Sequence, residues 1–243
     1  MPGPEPETAL SRVNRILHVL ALSPLLVLAA GCEPSGSRAA ARDGERTAPI
    51  GELAGIYTGT FPCSNCAAIE ATLWLRPDGR SLFRQRYMLE DGTADYQTQS
   101  LGLWRWDDDT GRLVLSGAGP DRRFAQLGPD RLELQGASPT EHALTRDPDA
   151  APPADPFRIE GESIVGRSGI AFTECITGLA LEVAPGPGYE ALLRQHRRLN
   201  RNGPAALTEL EAHLEQVAGP DETSREVLVV DRFLGLKPRT ACR

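Results

Sequence analysis

The sequence has no excess of positive charge and none of the compact motifs that mark common hydrolases. Lys and Arg total 26 against 33 Asp and Glu, which gives a formal net charge of -7. A nucleic-acid-binding surface needs an excess of cations, so the charge argues against nucleic acid as a partner. The chain lacks an HExxH motif, a nucleophile-elbow serine and a phosphate-binding loop, and its histidines beyond residue 31 are scattered: His142, His196 and His213. We therefore predict a protein that is not an enzyme, with no catalytic residues and no required cofactor.

No apolar run in the sequence is long enough to span a bilayer. The longest, residues 16–30, is about 15 residues where a spanning helix needs about 20, and it follows Arg12 and Arg15. A basic start before a short apolar core is typical of a signal peptide. The run ends in Leu-Ala-Ala-Gly directly before Cys32, which is close to a lipobox. We therefore predict a signal peptide over residues 1–31 and a lipid anchor on Cys32 that holds the mature protein at a membrane.

The residues after the predicted anchor indicate a linker and a compartment. Residues 32–49 are rich in Ser, Ala, Arg, Gly and Pro without a hydrophobic period, which is typical of a flexible linker. Glu33 stands where Asp favours inner-membrane retention in enteric bacteria, so we predict the outer membrane, facing the periplasm. Export places the chain in an oxidising envelope, and lipidation of Cys32 leaves an even number of cysteines: Cys63, Cys66, Cys175 and Cys242.

The stretch 50–146 is predicted to be a first folded unit made of short strands. Residues 69–75 alternate apolar and polar side chains, as a half-buried strand does, and the Pro-Asp-Gly-Arg turn at 77–80 precedes another alternating run. Strands joined by tight turns without intervening helices favour an antiparallel meander that closes into a barrel, similar to a lipocalin. Pro152 and Pro153 lie in a predicted linker over residues 147–156 that ends this unit.

Cys63 and Cys66 are the chemically distinctive pair of this unit. Two thiols at this spacing can close a small disulfide, hold a soft metal ion or perform thiol exchange. Thioredoxin-like exchange is the weakest of these, because the pair lies between two predicted strands and does not open a helix. A structural zinc site lacks a second ligand pair. The disulfide and a Cu(I) site, with Met88 as a candidate thioether ligand, both stay open.

The residues around this pair resemble a known family. The segments Gly-Ile-Tyr-Thr-Gly-Thr-Phe-Pro-Cys-Ser-Asn-Cys at 55–66, Leu-Trp-Leu-Arg-Pro-Asp-Gly at 73–79 and Gly-Leu-Trp at 102–104 are similar to the amino-terminal domain of the NlpE family. These are envelope lipoproteins tied to copper homeostasis, surface adhesion and stress signalling. The resemblance implies a lipocalin-like barrel with the cysteine pair near one end.

The stretch 157–243 is predicted to be a second unit of strands with one helix. Apolar residues recur at helical spacing over 189–199, whereas residues 227–230 form a buried strand. The mixture fits a small OB-fold barrel. Residues 206–217 suit either a helix or a strand. The segments at 172–175 and 229–233 resemble the carboxy-terminal OB domain of the same family, which implies that 206–217 is mostly strand.

Cys175 and Cys242 lie 67 positions apart in this second unit. A disulfide between them would pin the terminal segment and remove about 4 kcal/mol of unfolded-state freedom. A purely structural role, in which the disulfide stabilises the unit, requires only that this bond forms. The resemblance adds a second role, redox sensing, in which failure to form the bond signals a fault.

Together these features predict a non-enzymatic envelope sensor or adaptor that responds to lipoprotein sorting, disulfide state and copper. Its implied partners are the membrane, through the lipid, and a signalling protein of the inner membrane. The alternative is a periplasmic copper-homeostasis protein that binds the metal through Cys63 and Cys66.

Overall fold

A computed structural model describes residues 50–136, 142–199, 205–218, 224–238 and 240–242. The predicted signal peptide 1–31, the lipidation site Cys32 and the linker up to residue 49 lie outside the described residues. Within the described part of the chain, no helix combines the length and the apolar character needed to cross a membrane.

The first barrel follows a single helical turn and contains eight strands. Each strand pairs antiparallel with the next, and β1 pairs with β8 to close the barrel. The mostly β, antiparallel architecture predicted from the alternating patterns is confirmed. The elements are α1 (Ile50–Leu53), β1 (Gly55–Phe61), β2 (Ala68–Leu75), β3 (Arg80–Met88), β4 (Ala94–Asp107), β5 (Arg112–Ser116), β6 (Arg122–Gln126), β7 (Arg131–Leu134) and β8 (Ala143–Arg146).

Inward-facing side chains of these strands form the core of the first barrel. Because successive strand residues point to opposite faces, every second residue of β2 reaches the interior. The core includes Tyr57, Leu73, Phe83, Trp104 and Phe124, all buried. This packing positions the ends of β1 and β2, and with them the loop that carries the first cysteine pair.

The second barrel contains five strands and one helix. Its elements are β9 (Phe157–Val165), β10 (Ile170–Glu174), β11 (Ala180–Ala184), α2 (Tyr189–Leu199), β12 (Ala206–Ala218) and β13 (Ser224–Pro238). The strand order is β10-β11-β13-β12-β9, closed by β9 against β10, and β11 runs parallel to β13. With the helix between the third and fourth strands, this is the OB topology, as predicted.

The segment that suited either a helix or a strand is the strand β12. It pairs with β13 on one side and with β9 on the other. Ala206, Thr208, Leu210 and Ala212 are buried in alternation. The sequence pattern alone does not decide between helix and strand. The neighbouring strands on both edges decide it, because they supply the hydrogen bonds and the burial of a strand.

The two barrels pack against each other through outward-facing residues of the first. Leu82 and Leu101 are buried in the same apolar cluster as the second barrel's core, and Trp74 packs against it. At the rim, Arg76 forms an ion pair with Glu226 at 2.7 Å. The outer face of β2, β3 and β4 is thus part of a shared apolar interior.

Helix α2 is held on the second barrel by a buried polar contact. His196 is only 3% exposed, and its Nε2 lies 2.6 Å from Ser163 Oγ, which in turn lies 2.5 Å from Thr208 Oγ1. Burial lowers the pKa of His196, because the surrounding protein disfavours the charged imidazole.

We expect this histidine to make the protein less stable in mild acid. The unfolded chain takes up a proton near the ordinary pKa of about 6.5, whereas folded His196 does not until a lower pH. The contribution of His196 to the free energy of unfolding should therefore be fully present above about pH 6.5. It should decrease as the pH falls below that value, by up to about 1.4 kcal/mol per pH unit. Urea unfolding between neutral and acidic pH, compared with His196→Gln, isolates this contribution. Equal pH slopes for the two proteins would contradict it.

Candidate functional site

The first cysteine pair lies in the loop between β1 and β2, residues 62–67. The Cys63 and Cys66 sulfur atoms are bonded to each other, and their Cα atoms are 5.3 Å apart. Both cysteines are half-buried, whereas Ser64 and Asn65 between them are exposed. The pair is therefore a small surface disulfide at one end of the first barrel.

The position of this loop limits its chemistry. The chain leaves Cys66 and enters β2, so the pair does not open a helix whose N-terminus would lower a thiol pKa as in thioredoxin-like sites. The backbone N–H of Ala67 donates to Met88 O at 2.9 Å, which places the end of β3 beside the loop. Below the loop, the Phe61 ring packs against His142, with 5.1 Å between ring centroids.

Copper binding at this loop would require a reduced pair. The two sulfurs bonded to each other are not free to act as thiolates, and reduction would supply two soft donors of the kind that Cu(I) prefers. Among the described residues, no group of three or more His, Cys, Asp or Glu side chains is placed to hold a metal ion. Reduction would thus supply two thiolates, and the structure places only the backbone carbonyl of Met88 beside the loop, so the copper role and the thioether ligand stay predictions.

The second cysteine pair ties the end of the chain to the second barrel. Cys175 follows β10 directly and is bonded to Cys242, with 5.3 Å between their Cα atoms. The Cys175 N–H donates to Glu160 O at 3.1 Å, and the Cys242 N–H donates to Glu162 Oε1 at 2.9 Å. Both cysteines are half-buried, so the bond lies near the surface of the second barrel.

Glu174 shapes the turn next to this disulfide, and sequence reasoning missed it. Its side chain is 2% exposed, and its carboxylate accepts hydrogen bonds from Ile176 N at 3.0 Å and from Thr177 N at 2.6 Å. Thr177 Oγ1 donates a further bond at 2.7 Å. A signal was present, because Glu174 shares the inward parity of β10 with Ile170 and Phe172. These bonds fix the backbone from which Cys175 projects.

The two disulfides differ in what they constrain. The Cys63–Cys66 bond closes a loop within a hairpin whose ends the strands already hold together. The Cys175–Cys242 bond spans 67 positions and holds a segment, residues 240–242, that follows the last strand. Loss of the second bond therefore removes a larger constraint from the chain.

The chain is similar in sequence to known proteins. Residues 57–141 match the model of the NlpE N-terminal domain. The chain is 24% identical over 192 residues to lipoprotein NlpE of Escherichia coli (strain K12), which covers 76% of this chain and 79% of that protein. The resemblance to the NlpE family predicted from the sequence is confirmed by these two matches.

Two solved structures are also similar. The crystal structure of the Cpx pathway activator NlpE from Escherichia coli matches with a TM-score of 0.34 and 25% identity, over 78% of this chain and 98% of that one. A putative lipoprotein from Shewanella oneidensis matches with a TM-score of 0.31 and 22% identity, over 39% of this chain and 88% of that one.

Proposed function

We propose that this protein is a non-enzymatic lipoprotein of the bacterial envelope that senses envelope stress and signals to a protein of the inner membrane. The observation that carries the proposal is the Cys175–Cys242 bond, a half-buried disulfide that cross-links residues 240–242, which follow the last strand, to the end of β10. Similarity to E. coli lipoprotein NlpE, a Cpx pathway activator, supports the same role.

The disulfide provides the redox input. Reduction by a dithiol transfers two electrons and two protons, breaks the bond between the Cys175 and Cys242 sulfurs, and leaves two thiols. Residues 240–242 then keep the hydrogen bond that the Cys242 N–H donates to the Glu162 carboxylate as a weak remaining contact. A chain that fails to form the bond therefore exposes a loosened second barrel, which is the signal of faulty oxidation.

Lipid sorting provides the second input. An acylated Cys32 at the outer membrane keeps the protein away from inner-membrane partners, and the linker up to residue 49 gives the barrels reach. A mis-sorted chain that stays at the inner membrane meets the partner directly. In this proposal, defective sorting and defective oxidation produce the same contact.

The alternative function, copper homeostasis, depends on Cys63 and Cys66. The specific observation in its favour is that the pair lies in an exposed loop beside Met88, where reduction would place two soft donors at the surface. The two functions depend on different cysteines, so substitutions separate them.

We expect Cys175→Ser and Cys242→Ser, singly or together, to raise envelope-stress reporter output in cells, because each variant mimics the unoxidised chain. The matched control is the double variant Cys63→Ser with Cys66→Ser, which should leave that output unchanged and remove Cu(I) binding by the purified protein.

Cys32→Ser should release the protein into the soluble periplasmic fraction.

The outcome depends on which pair changes the output at equal protein level. If only the Cys63 and Cys66 variant alters copper tolerance and the Cys175 and Cys242 variants are silent, copper homeostasis replaces sensing. If neither pair alters output or copper binding, both functions are wrong.

A further inference from the structure

Strand β4 is paired on both edges along only part of its length. Its fourteen residues pair with β3 from Ala94 to Leu103, but with β5 only from Leu103 to Asp107. The barrel closes through that second stretch. Among the described residues, no strand pairs with residues 94–102 on the edge opposite β3. The wall of the first barrel therefore has a lateral gap with a sheet edge along one side.

The direction of the backbone groups along this edge can be assigned. The Trp104 N–H donates to Gly79 O, on the β3 side, at 2.8 Å. In an antiparallel pair, alternate residues direct both backbone groups to the same neighbour. Even-numbered residues such as Thr98 thus bond to β3, whereas Gln97 and Gln99 direct their N–H and C=O groups into the gap.

This edge has one protective feature at its start, a bulge at Asp95, since Tyr87 pairs with Tyr96 and Met88 with Ala94. Natural edges carry Pro, Lys or bulges that block pairing with another chain. Beyond the bulge, residues 96–102 contain neither Pro nor Lys, and Tyr96 and Thr98 are residues that favour strands. The stretch is thus a template for a further strand.

Two cavities meet at this edge, one on each face of the sheet. A cavity of about 990 Å³ lies on the outer face and is lined by Leu101 together with the charged residues Arg158, Glu160 and Lys237, among others. A cavity of about 290 Å³ lies on the inner face and is lined by Phe83 and Arg122 among others. Because side chains of a strand alternate between faces, a strand added at the edge would send them alternately into the two cavities.

The inner cavity also indicates the charge of the strand that would fit. The Arg122 guanidinium lies over the Phe83 ring, 5.2 Å from its centroid. Among the residues that the structure describes, Arg122 has no carboxylate within ion-pair distance. A carboxylate that enters this cavity would pair with a cation next to an apolar wall, whereas the outer cavity carries side chains of both charges and selects neither sign.

We propose that residues 96–102, beyond the bulge, are a β-augmentation site for an extended segment of a partner protein. The segment pairs with the outward backbone groups of Gln97 and Gln99, places an acidic side chain by Arg122 and places uncharged side chains over the outer cavity beside Leu101. This proposal depends on the proposed signalling role only for the identity of the protein that supplies the segment. Its test measures binding directly, so the site and the signalling role can fail separately.

The test uses the purified mature chain and two synthetic peptides with blocked ends. The first is Thr-Val-Thr-Val-Glu-Val-Thr-Val-Thr, which presents Glu on one face and Val on the other, and the second has Lys in place of Glu. On binding, amide exchange at Gln97 and Gln99 should slow about tenfold or more, with no change at Thr98 and Ser100. The Glu peptide should bind more tightly than the Lys peptide.

Matched variants separate backbone pairing from side-chain contact. Gln97→Pro removes an N–H that does not bond to β3, so the fold is retained, and affinity should fall about tenfold. Gln97→Ala keeps that N–H and should bind as the original chain does. Arg122→Ala should remove the preference for Glu over Lys.

Three results would overturn the site. The first is that the amides of Gln97 and Gln99 are as protected as that of Thr98 in the free protein. The second is that neither peptide binds. The third is that Gln97→Ala weakens binding as much as Gln97→Pro does.

Discussion

Cys242→Ser is expected to lower the free energy of unfolding by about 4 kcal/mol, the largest effect of any single disulfide change in this chain. The native bond joins Cys242 to Cys175 across 67 positions. Removing it restores the freedom of a long loop to the unfolded chain, and the folded state gains nothing in return. Urea unfolding of the oxidised protein and the variant, followed by tryptophan fluorescence, measures the difference.

The chain contains its own control for this prediction. Cys63→Ser opens a bond across 3 positions, for which the same entropy argument gives about 2 kcal/mol. The two costs should differ by about twofold in the stated order, and dithiothreitol should remove both differences. Equal costs, or a larger cost for Cys63→Ser, would show that local strain rather than loop length governs the stability of these bonds.

Arg146→Ala should produce the second largest loss, about 3 kcal/mol, because one side chain holds several groups at the end of the first barrel. Its Nη1 donates to Ala54 O and its Nη2 to Tyr57 Oη, both at 2.7 Å. Nε forms an ion pair with Asp130 at 3.2 Å, and the guanidinium lies over the Tyr57 ring. Burial raises the pKa of Tyr57, and the Arg146 charge partly offsets that rise. The truncation leaves the buried acceptors without this donor.

Two substitutions calibrate the Arg146 measurement. Arg146→Lys keeps the charge but replaces a planar fork by a single ammonium, so it should recover less than half of the loss. Tyr57→Phe removes one hydroxyl and should cost about 1 kcal/mol. Thermal unfolding of the three variants tests the order. A loss for Arg146→Lys below that for Tyr57→Phe would mean that charge, and not the shape of the fork, holds this end of the barrel.

Much of the fold could be predicted because side-chain alternation reports burial directly. The alternating run at 69–75 is β2, the run after the turn at 77–80 is β3, and the helical spacing over 189–199 is α2. The mainly β class and the order of a lipocalin-like barrel and an OB-fold barrel are confirmed.

The remaining features depend on contacts between distant residues. Leu82 and Leu101 lie on the outer face of the first barrel, and no local pattern shows that a second barrel covers them. The first half of β4 is polar and resembles a loop in sequence, yet pairing with β3 makes it a strand. Glu174 was missed for a related reason, since an acidic residue is expected at the surface unless its hydrogen-bond partners are known.

The apolar interior that the two barrels share also determines how the chain responds to damage. Leu82 and Leu101 belong by connectivity to the first barrel and by packing to the second. Loosening the second barrel therefore withdraws the cover of these side chains, and the first barrel loses part of its stability even though its own strands are intact. The stabilities of the two barrels are therefore linked. Loss of the Cys175–Cys242 bond raises the fraction of molecules in which the first barrel, which carries β4, is partly unfolded.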